Sequence, residues 1–124
     1  MILDWSRAPL SDGLACYRQA QFFDAHEHWE LVWLTLDEPE KSFLQALIQI
    51  TAAMHHLRKG NSTGAVSLLH RSLRRLAKCP TIFGGIDVDR LREEVEETLK
   101  AISRGSQNGT NIHPKIRLVI ARPD

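Results

Sequence analysis

Residues 22–34 read FFDAHEHWELVWL, a run that puts two phenylalanines, two tryptophans, two histidines and two glutamates together. On a helix of about 3.6 residues per turn, Phe22, Ala25, His26, Trp29 and Trp33 share one face, and Phe23, Leu31 and Leu34 carry the apolar surface round the side. Only Asp24, His28 and Thr35 form an obviously polar arc. A helix apolar almost all round is a buried one, so this stretch is predicted to be the largely buried central helix. His26, Glu27 and Glu30 then enter the interior with it and need hydrogen-bonding partners, because a buried polar group without one is costly.

Upstream, residues 1–9 form a short lead whose Ile2, Leu3 and Trp5 are expected to pack on the bundle. Pro9 and Ser11 punctuate a helix start, with Ser11 as N-cap and Asp12 in the first turn, where a negative charge suits the helix dipole. Leu10, Leu14 and Tyr17 give that first helix its apolar stripe, and a break near Ala20 and Gln21 leads into the central helix. Downstream, Asp37-Glu38-Pro39 combines a turn former with a helix breaker and should end the central helix around Leu36. The third helix is predicted over residues 40–59, with Phe43, Leu47, Ile50, Met54 and Leu57 as its main apolar face.

Gln45, Gln49 and His56 align on another side of the third helix, with Ala52 among them. An ordinary exposed face would carry Lys or Glu there; uncharged hydrogen-bonding groups beside a small residue point to close packing against another helix. The central helix is the expected neighbour. His26, Glu27, Glu30, Gln45, Gln49 and His56 are therefore predicted to form one buried polar cluster.

Gly60-Asn61 supplies a left-handed stop, and Ser62 or Thr63 is the expected cap of a fourth helix that turns Ala65, Leu69, Leu73 and Leu76 inward. Its outer face is basic: Arg71, Arg74, Arg75 and Lys78. Pro80 and Gly84-Gly85 mark a loop, and Asp87 or Asp89 caps a fifth helix with Leu91, Val95, Leu99 and Ile102 on one side and Glu93, Glu94, Glu96 and Glu97 outside. Residues 104–111 read as a flexible polar linker and the remaining tail as extended, with Ile116, Leu118 and Ile120 covering bundle surface and no strand partner in view. The expectation is one all-α domain over residues 1–124: a compact bundle of about five helices in a core of residues 10–104, then linker and tail over 105–124. A weak repeat at an offset of 40 residues sets Trp29 and Trp33 on Leu69 and Leu73, the pattern of stacked, tetratricopeptide-like helical hairpins.

At 124 residues the chain is long enough to bury a core without staples. Cys16 and Cys79 have no CxxC or Cys/His spacing and read as reduced thiols of a cytoplasmic protein. A formal net charge of +1 gives no global reason to expect nucleic acid or an anionic membrane. No apolar run approaches the roughly 20 residues that span a bilayer.

The run FFDAHEHWELVW, followed by FLQALIQITAAMHHLRKGNSTGA, resembles an uncharacterised prokaryotic family, domain of unknown function 309. Its pattern is carried here by Phe22, Phe23, Ala25, His26, Glu27, Glu30 and Trp33, then by Phe43, Leu44, Gln45, Leu47, Ile48 and Gln49, then by His56, Gly60, Asn61 and Ala65. His28-Trp29 departs from the small apolar pair usual there. The resemblance implies a compact helical domain and no particular activity.

His26-Glu27 with Glu30 reads HExxE; the zinc-protease motif HExxH needs a second imidazole at i+4, where this chain has a carboxylate. Glycine-rich phosphate loops and nucleophile elbows are absent from the sequence. The leading functional expectation is a non-enzymatic helical interaction module that binds a protein or small molecule, with self-association open to it, nucleic acid disfavoured and no cofactor. The basic face Arg71, Arg74, Arg75 and Lys78 is its candidate partner surface. The alternative is a metal-dependent hydrolase or oxidoreductase using His26, Glu30 and His56, since two imidazoles and a carboxylate suit zinc or ferrous iron.

Overall fold

The structure is a computed structural model that describes residues 3–105 and 113–119. Among them are α1 (Leu10–Arg18), α2 (Phe22–Trp33), α3 (Glu40–Arg58), α4 (Ser62–Leu76) and α5 (Val88–Ser103). The expected all-α bundle of five helices is what forms. The most extensive packing is between α3 and α4, followed by α1 on α2 and α2 on α3, with α5 resting on α4. A short turn joins α3 to α4, and Arg75 near the end of α4 donates to Ser42 near the start of α3, so the two run antiparallel as a hairpin.

Burial is distributed differently from the sequence expectation. The element at the centre is α3, in which positions 46–51 are buried without interruption. In α2 only Phe22, Ala25 and Trp29 are buried, while Phe23 and Leu31, and Leu34 just beyond its end, are exposed. The reason is supply of neighbours: among the helices α2 packs mainly on α1 and α3, which cannot cover a helix that is apolar almost all round. Trp29 is the residue this face is built on. It is fully buried, stacks 5.8 Å from Tyr17, meets Trp5 edge-on at 6.0 Å and donates its indole N–H to the Leu10 carbonyl at 3.2 Å.

The caps refine the boundaries. α4 is capped by Asn61, whose Oδ1 accepts from the Gly64 N–H at 3.0 Å, rather than by Ser62 or Thr63. Asp87 caps α5 by accepting from the Arg90 N–H at 3.1 Å. α1 begins one residue before Ser11, with Pro9 at its N-cap position and no side-chain cap. α2 ends at Trp33 rather than near Leu36.

Where a loop was expected before α5, residues 82–87 form a small antiparallel hairpin, β1 (Ile82–Phe83) paired with β2 (Ile86–Asp87). A two-residue hairpin turn of matching twist requires φ > 0 at both central residues, and Gly84 and Gly85 supply +57° and +76°. The tail also finds a partner: Ile86 bridges Leu118, the Asp87 N–H donates to the Arg117 carbonyl at 2.9 Å, and the Val119 N–H donates to the Gly85 carbonyl at 2.8 Å. Leu3, Trp5 and Ile116 are buried as expected, whereas Leu118 is exposed. Ile2, Ile120 and the linker residues 106–112 lie outside the described residues.

Candidate functional site

Two surfaces divide the residues singled out from the sequence. The first is on α2. One helical turn brings the side chains of His26 and Glu30 together, with His26 Nδ1 3.3 Å from Glu30 Oε2 and 3.6 Å from Glu27 Oε1. The two carboxylates face solvent more than the interior and the imidazole does so in part: Glu27 is 59% exposed, Glu30 51% and His26 32%. The expected buried network is thus corrected to a partly exposed triad on the outer side of α2. His26 and Glu27, with Phe22, Phe23, Ala52, His55 and His56, line a depression of about 210 Å³ between α2 and α3.

The ligating atoms of His26, Glu27 and Glu30 all lie within 4.8 Å of one another, and no other group of this kind occurs among the described residues. His56 is outside that group, so the set His26, Glu30 and His56 is corrected to His26, Glu27 and Glu30. The His56 Nδ1 instead meets the Asn61 side-chain amide at 3.2 Å, which ties it to the α3–α4 turn. One imidazole and two carboxylates form a donor set that suits a divalent ion of intermediate hardness.

The glutamines go elsewhere. Gln49, 8% exposed, faces α4 and lines a groove of about 420 Å³ with Ser42, Arg71, Arg74, Arg75 and Lys78. Gln45 is half-buried and lines neither depression. The stripe Gln45, Gln49, Ala52 and His56 divides because α2 and α4 both pack on α3: Gln49 lines the groove beside α4, and Ala52 and His56 line the depression beside α2.

This groove is the second surface. Its cations repeat at i, i+3, i+4 and i+7 along and just past the last two turns of α4. Like-charge pairs at these spacings each cost about 0.2–0.5 kcal/mol, partly offset for Arg74 and Arg75 by the negative end of the helix dipole. No carboxylate among the described residues pairs with Arg71, Arg74, Arg75 or Lys78. Arg92 and Arg117, by contrast, pair with Asp89 and Glu94. Arg75 is held by its 2.8 Å hydrogen bond to Ser42 Oγ. Ser42 escaped the sequence reading, although its place seven residues before Gln49 puts it on the same row.

Cys16 and Cys79 are both half-buried. Both thiols are free, and burial pushes each above its ordinary value, which favours the unreactive protonated form. No described helix is long and apolar enough to cross a membrane.

Residues 10–68 match the model of a family described as "Domain of unknown function (DUF309)", a match that runs across α1, α2, α3 and the first half of α4. An uncharacterised protein of Aquifex aeolicus (strain VF5) is 31% identical over 91 residues, which are 73% of this chain and 27% of that protein. The chain therefore spans little more than a quarter of this much longer relative. The matched family segment includes the triad and the groove's Ser42 and Gln49, whereas Arg71, Arg74, Arg75 and Lys78 lie beyond it.

Proposed function

We propose that this protein is a non-enzymatic helical interaction module that docks an anionic partner in the groove between α3 and α4. The observation that carries the reading is the set of four cations, Arg71, Arg74, Arg75 and Lys78, gathered round one groove with no carboxylate partner among the described residues. Like charges held together at a cost to the helix are accounted for when a ligand of opposite charge completes them. The match to part of a longer relative fits a unit that can be joined to other sequence. Two free cysteines fit a reducing, cytoplasmic setting. The test is affinity capture from a lysate of the source organism. A specific partner retained at low salt, released at high salt and lost with Arg71→Glu/Arg74→Glu/Arg75→Glu supports the reading, provided the variant keeps its helical circular dichroism. A partner held equally by the variant sinks it.

A second reading is favoured by the closeness of His26, Glu27 and Glu30: a divalent metal held on α2 and used for hydrolysis or redox chemistry, with His56 across the depression. Elemental analysis of untagged protein separates the two readings. Stoichiometric zinc or iron, lost in His26→Ala, establishes the metal reading; metal-free protein unaltered in melting temperature by chelator removes it.

A further inference from the structure

We infer that the groove between α3 and α4 binds the phosphoryl group of a phosphate monoester; this rests on the docking reading above and names the chemistry that the docking recognises. Arg71, Arg74, Arg75 and Lys78 line the groove from the α4 side, and Ser42 and Gln49 line it from α3. A single carboxylate would be met by one guanidinium fork. Four cations round one depression match a group that carries close to two charges on three oxygens, each able to accept from planar guanidinium donors.

The wall opposite the cations carries hydrogen-bonding groups. Gln49 is more than nine-tenths buried and its Oε1 is enclosed without a hydrogen-bond partner, so the carboxamide N–H donors are the groups of this side chain left to meet an anion in the groove. The 2.8 Å bond from Arg75 Nη1 to Ser42 Oγ fixes one guanidinium in advance, which lowers the ordering cost of binding.

A compact anion fits better than a polymer. The formal net charge is only +1, and α5, which packs beside α4, exposes Glu93, Glu96 and Glu97. The positive field is therefore local, without the extended track that a nucleic-acid backbone follows. No aromatic side chain lines the groove to stack a base.

The test uses the full chain in titration calorimetry and in NMR of the arginine side-chain N–H groups, with O-phosphoserine and inorganic phosphate as probes and serine and acetate as controls. Saturable binding of both phosphates and of neither control is expected, with the Arg71, Arg74 and Arg75 signals shifting. Arg74→Ala and Gln49→Leu should each weaken O-phosphoserine about tenfold or more, the loss of a hydrogen bond to a charged group. Arg74 is exposed, so its variant remains informative if Gln49→Leu does not fold. Absence of saturable phosphate binding, affinity unaltered by Arg74→Ala, or tighter binding of a single-stranded RNA oligonucleotide than of either phosphate overturns the inference. Partner capture that is lost on charge reversal while O-phosphoserine fails to bind overturns the phosphoryl assignment and leaves the docking reading standing; failure of both removes both.

Discussion

Gly13 of α1 lies flat against the indole of Trp29 in α2: a Cβ added to Gly13 would come within 2.9 Å of Trp29 Cε2 and closer still to Cδ1 and Nε1. The glycine is what lets the two helices approach over a buried tryptophan. Gly13→Ala gains the helix preference of alanine, about 1 kcal/mol, but must displace a ring that is packed on all sides. Overpacking of this kind costs about 1–3 kcal/mol, so a net loss of stability is expected in urea titration. A variant as stable as the parent would show that Trp29 has room to move.

The two tryptophans of α2 should differ sharply. Trp29 is fully buried, whereas Trp33 is half-buried and has the Lys41 ammonium 4.3 Å from its ring centroid. Trp29→Ala is expected to cost about 3–5 kcal/mol, the usual range for a buried aromatic, a large share of the 5–15 kcal/mol typical of a domain. Trp33→Ala should cost clearly less. Equal shifts in melting temperature would contradict the burial difference.

Asn61 serves both the N–H of Gly64 and the ring of His56. Asn61→Ala should destabilise by about 1 kcal/mol, the value of an N-cap, while Asn61→Asp keeps the cap. Thermal melts of the two variants read this directly: an aspartate as damaging as alanine would mean that the contact to His56 outweighs the cap.

The tail should respond to acid in two stages. Burial, reinforced by Arg58 and Lys115, holds His113 below its ordinary value of 6.5. A histidine with a depressed folded value contributes stability that is complete above the unfolded value and is lost as pH falls below it. Burial by itself would raise Glu94, but the Lys115 N–H and the Arg117 guanidinium outweigh it and hold the carboxyl below its ordinary 4.5. Its contribution is likewise present above that value and disappears on further acidification. Amide hydrogen exchange in residues 113–119 should therefore quicken first below about pH 6.5 and again below about pH 4.5, after correction for intrinsic rates, and Glu94→Gln should remove the second stage. Protection independent of pH across both windows would refute the assignment.

Much of the fold was legible because it is local. The spacing of Phe43, Leu47, Ile50 and Met54 and the break at Gly60-Asn61 define α3 to within one residue, and of the two candidate caps for α5, Asp87 and Asp89, the first is the one used. The pairing of His26 with Glu30 follows from one helical turn. Burial of α2 was misread because periodicity records which sides of a helix are apolar, not how many neighbours exist to cover them. Gln49 was assigned to the wrong neighbour for a related reason: a stripe on α3 does not state which of two adjacent helices it meets. The pairing of Ile86 with Leu118 joins positions 32 apart, a separation that no local pattern encodes.

The Tyr17 hydroxyl donates to the Pro114 carbonyl 97 residues away, and Arg18 reaches the Ile116 carbonyl across 98. Closing so long a loop is entropically expensive and is deferred until nearer contacts have formed, whereas the α3–α4 hairpin closes over a short turn. The expected order of assembly is that the hairpin forms early and the tail fastens afterwards. Loosening the fastening with Tyr17→Phe leaves the folding limb of a chevron plot where it was and raises the unfolding limb. On this expectation residues 113–119 govern how long the native state persists once it has formed, rather than how quickly it is reached.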